Sequence, residues 1–274
     1  MTLEVLPAET VVARGKRPRQ GEPVVDRALA LLAAFDDKHL RLSLSDLARR
    51  SGMPVSTARR LAVRFVAWGA LEKDESGLYS VGLRLWQVAS LAERGLSLRD
   101  EAPPFLDDLH AVTHHHVQLA VLDHTDALVL DRRLGDVELP AISYRIGGRI
   151  PLVASAAGVV LLAHSPAEFQ DQVLSGPFRW PLHECPRPAA KDVRAQLAGV
   201  RRTGLAMLSR PTAPIASVAA PVRDQQGSVV AAISVVVPAG SIELYRFEPA
   251  LRATARAVSR AMGAPMAVGA TAPW

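Results

Sequence analysis

Residues 42–61 have the sequence LSLSDLARRSGMPVSTARRL, which predicts two short helices joined by a tight turn. Ser45 is the predicted N-cap of the first helix. Gly52 supplies a backbone conformation that other residues avoid, and Pro54 suits the first turn of the second helix. Two helices in this arrangement place the second one in the major groove of DNA. The segment therefore predicts a helix-turn-helix motif.

The second predicted helix has an apolar face and a polar, basic face. A turn of 100° per residue gathers its apolar side chains in one stripe that packs on the domain core, namely Ala58, Leu61, Ala62 and Phe65. On the opposite arc we expect Arg59 to contact a base edge, with Ser56 and Thr57 beside it. The full set of predicted DNA contacts, including the phosphate contacts Arg60 and Arg64, is Ser45, Arg49, Val55, Ser56, Thr57, Arg59, Arg60, Arg64 and Lys73. For any single arginine, the alternative is an ordinary solvated helix face.

The excess positive charge lies in the first quarter of the chain. Residues 1–70 contain 12 Lys and Arg against 7 Asp and Glu, whereas residues 71–274 contain 20 of each kind. From Arg49 to Arg64 there are five arginines and no carboxylate, so a polyanion is the expected partner. A membrane surface is not expected, because the exposed face lacks the aromatic and leucine anchors of interfacial helices.

The flanking segments complete a winged helix. A helix is predicted at 24–35, with a buried stripe formed by Val24, Val25, Ala28, Leu29, Leu31, Leu32 and Phe35. Residues 71–82, with the sequence LEKDESGLYSVG, predict a hairpin in the position of a wing. Lys73 and Tyr79 of this hairpin are candidate phosphate contacts, and a solvated hairpin is the alternative for each.

The first part of the chain, from about residue 24 to 81, resembles the DNA-binding domain of the IclR-type bacterial transcriptional regulators. The resemblance rests on DRAL at 26–29, LSDLARR at 44–50 and STARRL at 56–61. It continues in stretches that resemble the effector-binding domain of that family, GGRIPL at 147–152, AAPVRD at 219–224 and AAISV at 231–235. The resemblance implies an α+β protein with an N-terminal winged helix-turn-helix domain and a C-terminal GAF-like α/β effector-binding domain.

The resemblance also implies partners. It suggests a regulator, repressor or activator, that binds double-stranded operator DNA as a homodimer or a dimer of dimers. A small-molecule effector would modulate that binding from a pocket on one side of a sheet whose other side is backed by helices. An amphipathic helix predicted at 83–99 would join the two halves and contribute to the dimer.

Length and composition fit this organisation. A chain of 274 residues is longer than a single hydrophobic core usually stabilises, so two domains are expected. The predicted parts are a disordered basic arm (1–22), the DNA-binding domain (23–82), a linker helix (83–102), the effector-binding domain (103–264) and a flexible tail (265–274). The single cysteine, Cys185, fits a reducing cytoplasm, and no apolar run reaches membrane-spanning length. We expect a cytoplasmic protein.

The second half mixes helices with antiparallel strands. Strands are predicted at 116–122, 128–132, 218–222 and 229–237, with a turn at 224–227. Helices are predicted at 154–164, 191–202 and 241–262, and the stretch before Pro151 is predicted to be irregular.

Nine positions match pocket residues of family members that bind small organic acids: Ile142, Ile150, Ala156, Ala157, Leu208, Ile215, Ser217, Ser234 and Val236. Leu208 stands where Asp is common, Ser217 replaces a usual cysteine, and Val236 replaces a hydroxyl residue. Fewer polar partners disfavour a small, highly charged ligand, whose desolvation goes uncompensated. We therefore expect a larger or more apolar effector, such as an aromatic compound. A degenerate pocket without a ligand is the alternative.

The sequence supports a catalytic function less well than a DNA-binding one. His110 and His114 are four residues apart on a predicted helix and could share a metal, which makes a metal-dependent enzyme the alternative function. No glutamate follows His110 in the zincin pattern, and no third ligand can be assigned. Ser155 lacks the glycine-flanked elbow of hydrolases, so we place it at a helix N-terminus whose amides can receive an anion. We expect no enzyme activity, metal or cofactor. A protein-interaction adaptor that uses a winged helix is a further alternative.

Overall fold

The structure is a computed structural model. It describes residues 23–265 except 37, 138, 140–144, 178–187, 210–214 and 241–243. The chain divides into two compact units between Ala92 and Glu93. Within the described ranges, no helix is long and apolar enough to cross a membrane. The predicted arm at 1–22, Cys185, and all but the first residue of the predicted tail lie outside the described residues.

The first unit is a small helical domain with a two-stranded hairpin. Its elements are α1 (Val24–Leu32), α2 (Leu44–Arg50), α3 (Val55–Trp68), β1 (Leu71–Lys73), β2 (Tyr79–Val81) and α4 (Leu83–Ala89). The two strands pair antiparallel, with Leu71 opposite Val81. This element order confirms the predicted winged helix-turn-helix fold.

The N-cap of α2 is Ser43 and not Ser45 as predicted. The backbone N–H of Asp46 donates to Ser43 Oγ at 3.1 Å, and the Ser43 hydroxyl donates to the Asp46 carboxylate at 2.7 Å. Serines at 43 and 45 both fit the capping pattern, and the acidic side chain three residues after Ser43 decides between them. The predicted turn at Gly52 is confirmed by its φ of +69°.

The core of the first unit confirms the predicted stripe on α3 but corrects the one on α1. Ala58 and Ala62 are fully buried. On α1, by contrast, Val24, Val25 and Leu29 are each more than half exposed. This helix packs on its neighbours mainly through its C-terminal half, because Ala30, Leu31 and Leu32 are the α1 residues in the core.

Residues 83–99 form parts of two helices instead of the single predicted helix. The first, α4, ends at Ala89, and α5 spans Glu93–Glu101. Ser90 follows α4, and its hydroxyl donates to the carbonyl of Gln87 at 2.9 Å. Such local side-chain bonds compete with helix continuation.

The second unit is built on a six-stranded antiparallel sheet. Its strands are β3 (His116–Asp123), β4 (Asp126–Arg133), β5 (Arg149–Pro151), β6 (Ala206–Ser209), β7 (Ile215–Arg223) and β8 (Val229–Pro238), in the order β5-β4-β3-β8-β7-β6. The helices, besides α5, are α6 (Pro103–Thr113), α7 (Ala156–Ala163), α8 (Ala167–Ser175), α9 (Ala190–Thr203) and α10 (Glu248–Ala261).

Helices cover both faces of this sheet, so the prediction of helices on one side only is wrong. One face packs against α6 and α10 through a core that includes Leu106, Val117 and Leu251. The other face packs against α7 and α9 through a core that includes Ala120, Val160 and Leu197. The sheet needs both layers, because its alternating side chains are apolar on both faces. We call the second face the α7 face.

The element bounds of the second unit largely follow the sequence pattern. The strands and helices predicted at 116–122, 154–164, 191–202 and 229–237 are present within a few residues of those bounds. No range was predicted for β5, β6 or α8, and the last helix begins at Glu248, seven residues later than predicted. Pro249 in its first turn suits a helix start.

Candidate functional site

The basic face of α3 is presented to solvent. Ala58 and Ala62 anchor the helix in the core, which leaves Ser56, Arg59 and Arg60 exposed and Thr57 partly exposed. Val55, Val63 and Arg64 are exposed as well. Within the described ranges, Arg59, Arg60 and Arg64 form no ion pair, so their charges are available to a polyanion.

Arg50 belongs to the fold and not to this surface. Its side chain is only 18% exposed, its Nε donates to the carbonyl of Ala34 at 2.6 Å, and its guanidinium pairs with Asp36. Burial opposes ionisation of Asp36, but hydrogen bonds from His39, the Lys38 backbone and Arg50 together lower its pKa. Arg50 thereby ties the end of α2 to the loop after α1, and four of the five arginines remain on the surface.

Two of the other predicted DNA contacts lie on α2. Ser45 and Arg49 are exposed. Arg49 forms an ion pair with Asp46 at 2.7 Å, which lowers the pKa of that carboxyl. A phosphate contact by Arg49 therefore competes with an ion pair inside the domain.

The wing is the β1–β2 hairpin, and one of its two candidate residues is exposed while the other is buried. Lys73 is exposed, and its Nζ lies 5.4 Å from the centre of the Tyr79 ring. Tyr79 is only 4% exposed and packs in the core of the first unit, so the prediction that it touches a phosphate is wrong. The Tyr79 ring instead forms a cation–π contact with Lys73 on the opposite strand of the hairpin.

A second site lies on the α7 face, where α7 begins. Ser155 caps this helix, because its Oγ accepts a hydrogen bond from the backbone N–H of Gly158 at 3.0 Å. The backbone N–H of Ala156 donates to Ser217 Oγ on β7 at 3.3 Å. Gly158 lies directly against the backbone of Leu152, where a Cβ would collide. These contacts fix the start of α7 over the sheet.

Eight of the nine predicted effector positions are described, and all lie near this start of α7 or on the α7 face. They are Ile150 on β5, Ala156 and Ala157 in the first turn of α7, Leu208 on β6, Ile215 and Ser217 on β7, and Ser234 and Val236 on β8. Leu208 is opposite Ser217, which is opposite Val236. Ile142 lies outside the described residues.

Two buried polar residues on β3 were not among the predicted effector positions. His116 is opposite Val236 and Gln118 is opposite Ser234, so both lie on the α7 face. They are 6% and 5% exposed, and Ser217 and Ser234 are 7% and 2% exposed. The face therefore holds four buried polar side chains, and the loss of polar partners inferred from Leu208 and Val236 is only partial. The alternation of His116, Gln118 and Ala120 in a predicted strand is the signal that could have found them.

His116 is held in one orientation. Its Nε2 lies 2.8 Å from the carbonyl oxygen of Val137. A carbonyl only accepts, so Nε2 carries the proton and donates. In the neutral ring Nδ1 is then left as an acceptor.

A register shift in β4 places an arginine beside Gln118 on the α7 face. The pairing of β3 with β4 slips between Leu119 and Ala120, after which Arg132 is opposite Gln118. The next residue, Arg133, instead pairs with Asp107 on α6 and with Asp131. Neighbouring side chains of a strand lie on opposite faces, and the shift puts Arg132, not Arg133, on the α7 face.

The histidines at the end of α6 do not converge. His110 Nδ1 lies 3.0 Å from the carbonyl oxygen of His115, and His114 takes a left-handed conformation after the helix. His115 stacks edge-on against Phe247, and burial lowers its pKa. In the part of the chain that the structure describes, no three His, Cys, Asp or Glu side chains are grouped as metal ligands are.

Known families match both units. The IclR helix-turn-helix domain matches residues 24–75, and the C-terminal domain of the bacterial transcriptional regulator IclR matches residues 91–260. The first match covers α1 to β1, with the basic face of α3. The second covers the sheet and the start of α7.

Similar proteins extend over nearly the whole chain. The HTH-type transcriptional regulator XynR of Escherichia coli is 28% identical over 247 residues, which are 88% of this chain and 97% of XynR. The HTH-type transcriptional repressor AllR of the same species is 27% identical over 269 residues, 93% of this chain and 98% of AllR.

Solved structures agree with these matches. The crystal structure of an IclR homolog from Microbacterium hydrocarbonoxydans, in complex with 4-hydroxybenzoate, has a TM-score of 0.79 and 30% identity to this chain. The match covers 88% of this chain and 99% of that homolog. Since both domain models match in order and the relatives cover about nine tenths of the chain, the chain belongs to the IclR family of bacterial transcriptional regulators.

Proposed function

We propose that this regulator binds an operator of two inverted half-sites as a dimer, and that an aromatic carboxylate bound in the second unit modulates the binding. The observation that carries the proposal is that the chain has both an exposed basic face on α3 and, in its second unit, buried polar side chains beside the start of α7. We assign the second unit a binding role and no catalytic one, as expected for relatives that are transcriptional regulators.

The DNA side of the proposal assigns roles by position on α3. Arg59 contacts a base edge, with Ser56 and Thr57 beside it near the helix N-terminus. Arg60 and Arg64 contact phosphates, as do Arg49 and Lys73 from the neighbouring helix and the wing. Ser45 and Val55 lie at the starts of α2 and α3, where they approach the same groove.

The dimer side of the proposal uses the apolar surface of α4. This helix buries none of its residues, and Leu83, Trp86 and Val88 are each more than half exposed. We propose that the same helix of a second copy covers it, with the exposed α1 residues Val24 and Val25 as part of the interface. An isologous contact of this kind gives the two-fold symmetry that an inverted repeat requires. Two such dimers on one operator form the dimer of dimers that the resemblance implies.

The effector side of the proposal rests on the mixture of residues near the start of α7. Leu208, Val236 and Ile150 supply apolar contacts for a ring. The Ser217 hydroxyl supplies a donor for a carboxylate, while its oxygen accepts the Ala156 N–H. The positive end of the α7 dipole favours the negative charge. The homolog from Microbacterium hydrocarbonoxydans was crystallised with 4-hydroxybenzoate, an acid of this class, and that compound is the probe we choose.

The effector acts by binding more tightly to the protein in one arrangement of the DNA-binding domains than in another. A coupling of about 1–3 kcal/mol is typical for such control. We propose that the protein works where the chromosomal DNA is, in the cytoplasm.

Selection of bound fragments from the source genome, at two salt concentrations, tests the proposed function. Recovery of a shared inverted repeat is the expected result, and the same selection with 4-hydroxybenzoate is expected to change its yield. Recovery of fragments without a common sequence, at both salt concentrations, would overturn the proposal.

A further inference from the structure

Val63 is an apolar side chain in the middle of the basic face of α3. It is 56% exposed and is not among the residues that pack in the core of the first unit. A helix turns by about 100° per residue, so Val63 lies about 40° from Arg59 on one side and about 60° from Arg60 on the other. The core residue Ala58 is about 140° away around the helix. The valine is therefore presented to solvent between two arginines.

Helix stability does not account for a valine at this position. A β-branched side chain is less favourable than alanine on an exposed helix face, because it loses rotamer freedom. A partner that covers Val63 also covers Arg59 and Arg60, whose charges no ion pair among the described residues neutralises. The major groove of DNA offers phosphates and, at some base pairs, an apolar group. DNA is thus the partner that fits the valine and both arginines together.

The apolar group in the major groove is the methyl of thymine. None of the other three standard bases carries one, and aliphatic side chains recognise it by direct contact. The helical rise places Val63 about 6 Å beyond Arg59 along the axis of α3, and successive base pairs are about 3.4 Å apart. A helix that lies along the groove therefore holds Val63 about two base pairs from the base that Arg59 contacts.

We propose that Val63 is a specificity-determining residue, which contacts the methyl group of one thymine in each half-site of the operator, about two base pairs from the base that Arg59 contacts. The inference rests on the proposed function, because it takes α3 to be the helix that reads the operator. It adds the identity of one base, and it adds a residue that is not among the predicted DNA contacts.

The test removes the methyl groups from each side of the contact in turn. Deoxyuridine replaces each thymine of the inverted repeat, one position at a time in both half-sites, and fluorescence anisotropy measures the affinity of the full-length protein. We expect one thymine at which this replacement weakens wild-type binding by about fourfold per half-site, the value of one buried methylene-sized group. In Val63→Ala the same replacement should change the affinity by a factor of about one. Val112→Ala, at a valine of α6 that is 71% exposed, is the matched control and should keep the wild-type penalty.

Other results would overturn the inference, and they separate its failure from that of the proposed function. A penalty that persists in Val63→Ala, or the absence of any penalty in wild type, would remove Val63 from base recognition but leave a protein that still prefers the repeat to a scrambled duplex. Equal weakening of Val63→Ala on the two duplexes would make Val63 a backbone contact. A wild type without preference for the repeat would overturn the proposed function and the inference with it. A melting curve of each variant confirms that it is folded, as expected because alanine favours an exposed helix.

Discussion

The backbone N–H of Ala156 donates a hydrogen bond of 3.3 Å to the hydroxyl of Ser217, and so joins the first turn of α7 to the middle of the sheet. Both residues are buried, at 0% and 7% exposure. The contact satisfies one of the amides that a helix N-terminus leaves without an intrahelical partner. It also places a side chain of β7 between the sheet and the helix end where the effector is proposed to bind.

Replacement of this hydroxyl should destabilise the second unit. Ser217→Ala leaves the Ala156 N–H without its acceptor, which typically costs about 1 kcal/mol and lowers the melting temperature by about 2–4 °C. Differential scanning calorimetry measures the change. Ser228→Ala, at an exposed serine of the β7–β8 hairpin, is the control and should melt like wild type. Equal melting temperatures for Ser217→Ala and wild type would show that the bond contributes nothing to stability.

Arg59→Ala is expected to weaken operator binding by about 1–3 kcal/mol and to relax sequence preference at one base pair of each half-site. Arg59 is exposed and forms no ion pair within the described ranges, so the stability of the protein should not change. Fluorescence anisotropy on operator and random duplexes measures both effects. Arg256→Ala, an exposed arginine of α10, should bind DNA like wild type. The base-reading role would be refuted by equal weakening on the two duplexes.

Arg50→Ala is expected to act on stability instead. The substitution removes a guanidinium that is bonded to the Ala34 carbonyl and paired with Asp36, both in the first unit. A loss of about 1–3 kcal/mol in the free energy of unfolding is expected. Urea denaturation measures it, and Arg60→Ala, on the exposed face of α3, should show no loss. Unchanged stability with weakened DNA binding would place Arg50 among the phosphate contacts and contradict the structure.

The apolar surface of α4 leads to a prediction about assembly. Leu83 is 72% exposed, so Leu83→Asp should not disturb the folded unit but should place two carboxylates in the proposed interface. Sedimentation velocity is expected to show a shift from dimer to monomer. The control is Leu40→Asp, at a leucine that is 59% exposed in the loop before α2. A dimer of unchanged strength in Leu83→Asp would exclude α4 from the interface.

His164, the residue after α7, should make the second unit sensitive to acid. Burial lowers its pKa from the ordinary value of 6.5, against the hydrogen bond to the Val160 carbonyl, which raises it. Because the folded pKa is the lower one, the unfolded chain takes up the proton first as the pH falls. The free energy of unfolding is therefore undiminished above about pH 6.5, and it decreases as the pH falls from there through the lowered folded pKa. Melting temperatures of His164→Gln should fall less between pH 7.5 and 5.5 than those of wild type. An equal fall in both proteins would contradict this role of His164.

Local patterns predicted the DNA-binding unit well and the effector site less well. Ala58 and Ala62 on one face of α3 follow from helical periodicity alone, and Gly52 from its place in the turn. The exposure of Val24 and Val25 could not be predicted in this way, because an apolar stripe does not distinguish a core from an interface between copies. Gln118 was missed for a related reason. Its strand alternates in sequence, but only the pairing of β3 with β8 shows which face the alternating residues share with Ser234.

The proposed recognition of a specific operator by the basic face of α3 is tested by the affinity for DNA as a function of salt. The purified protein is titrated onto the inverted repeat recovered from the genome and onto a scrambled duplex of equal length. We predict that the affinity for both falls steeply with salt, because phosphate contacts release counterions, while the repeat is preferred at every salt concentration. Equal affinity for the two duplexes throughout the series, or no dependence on salt, would contradict the claim.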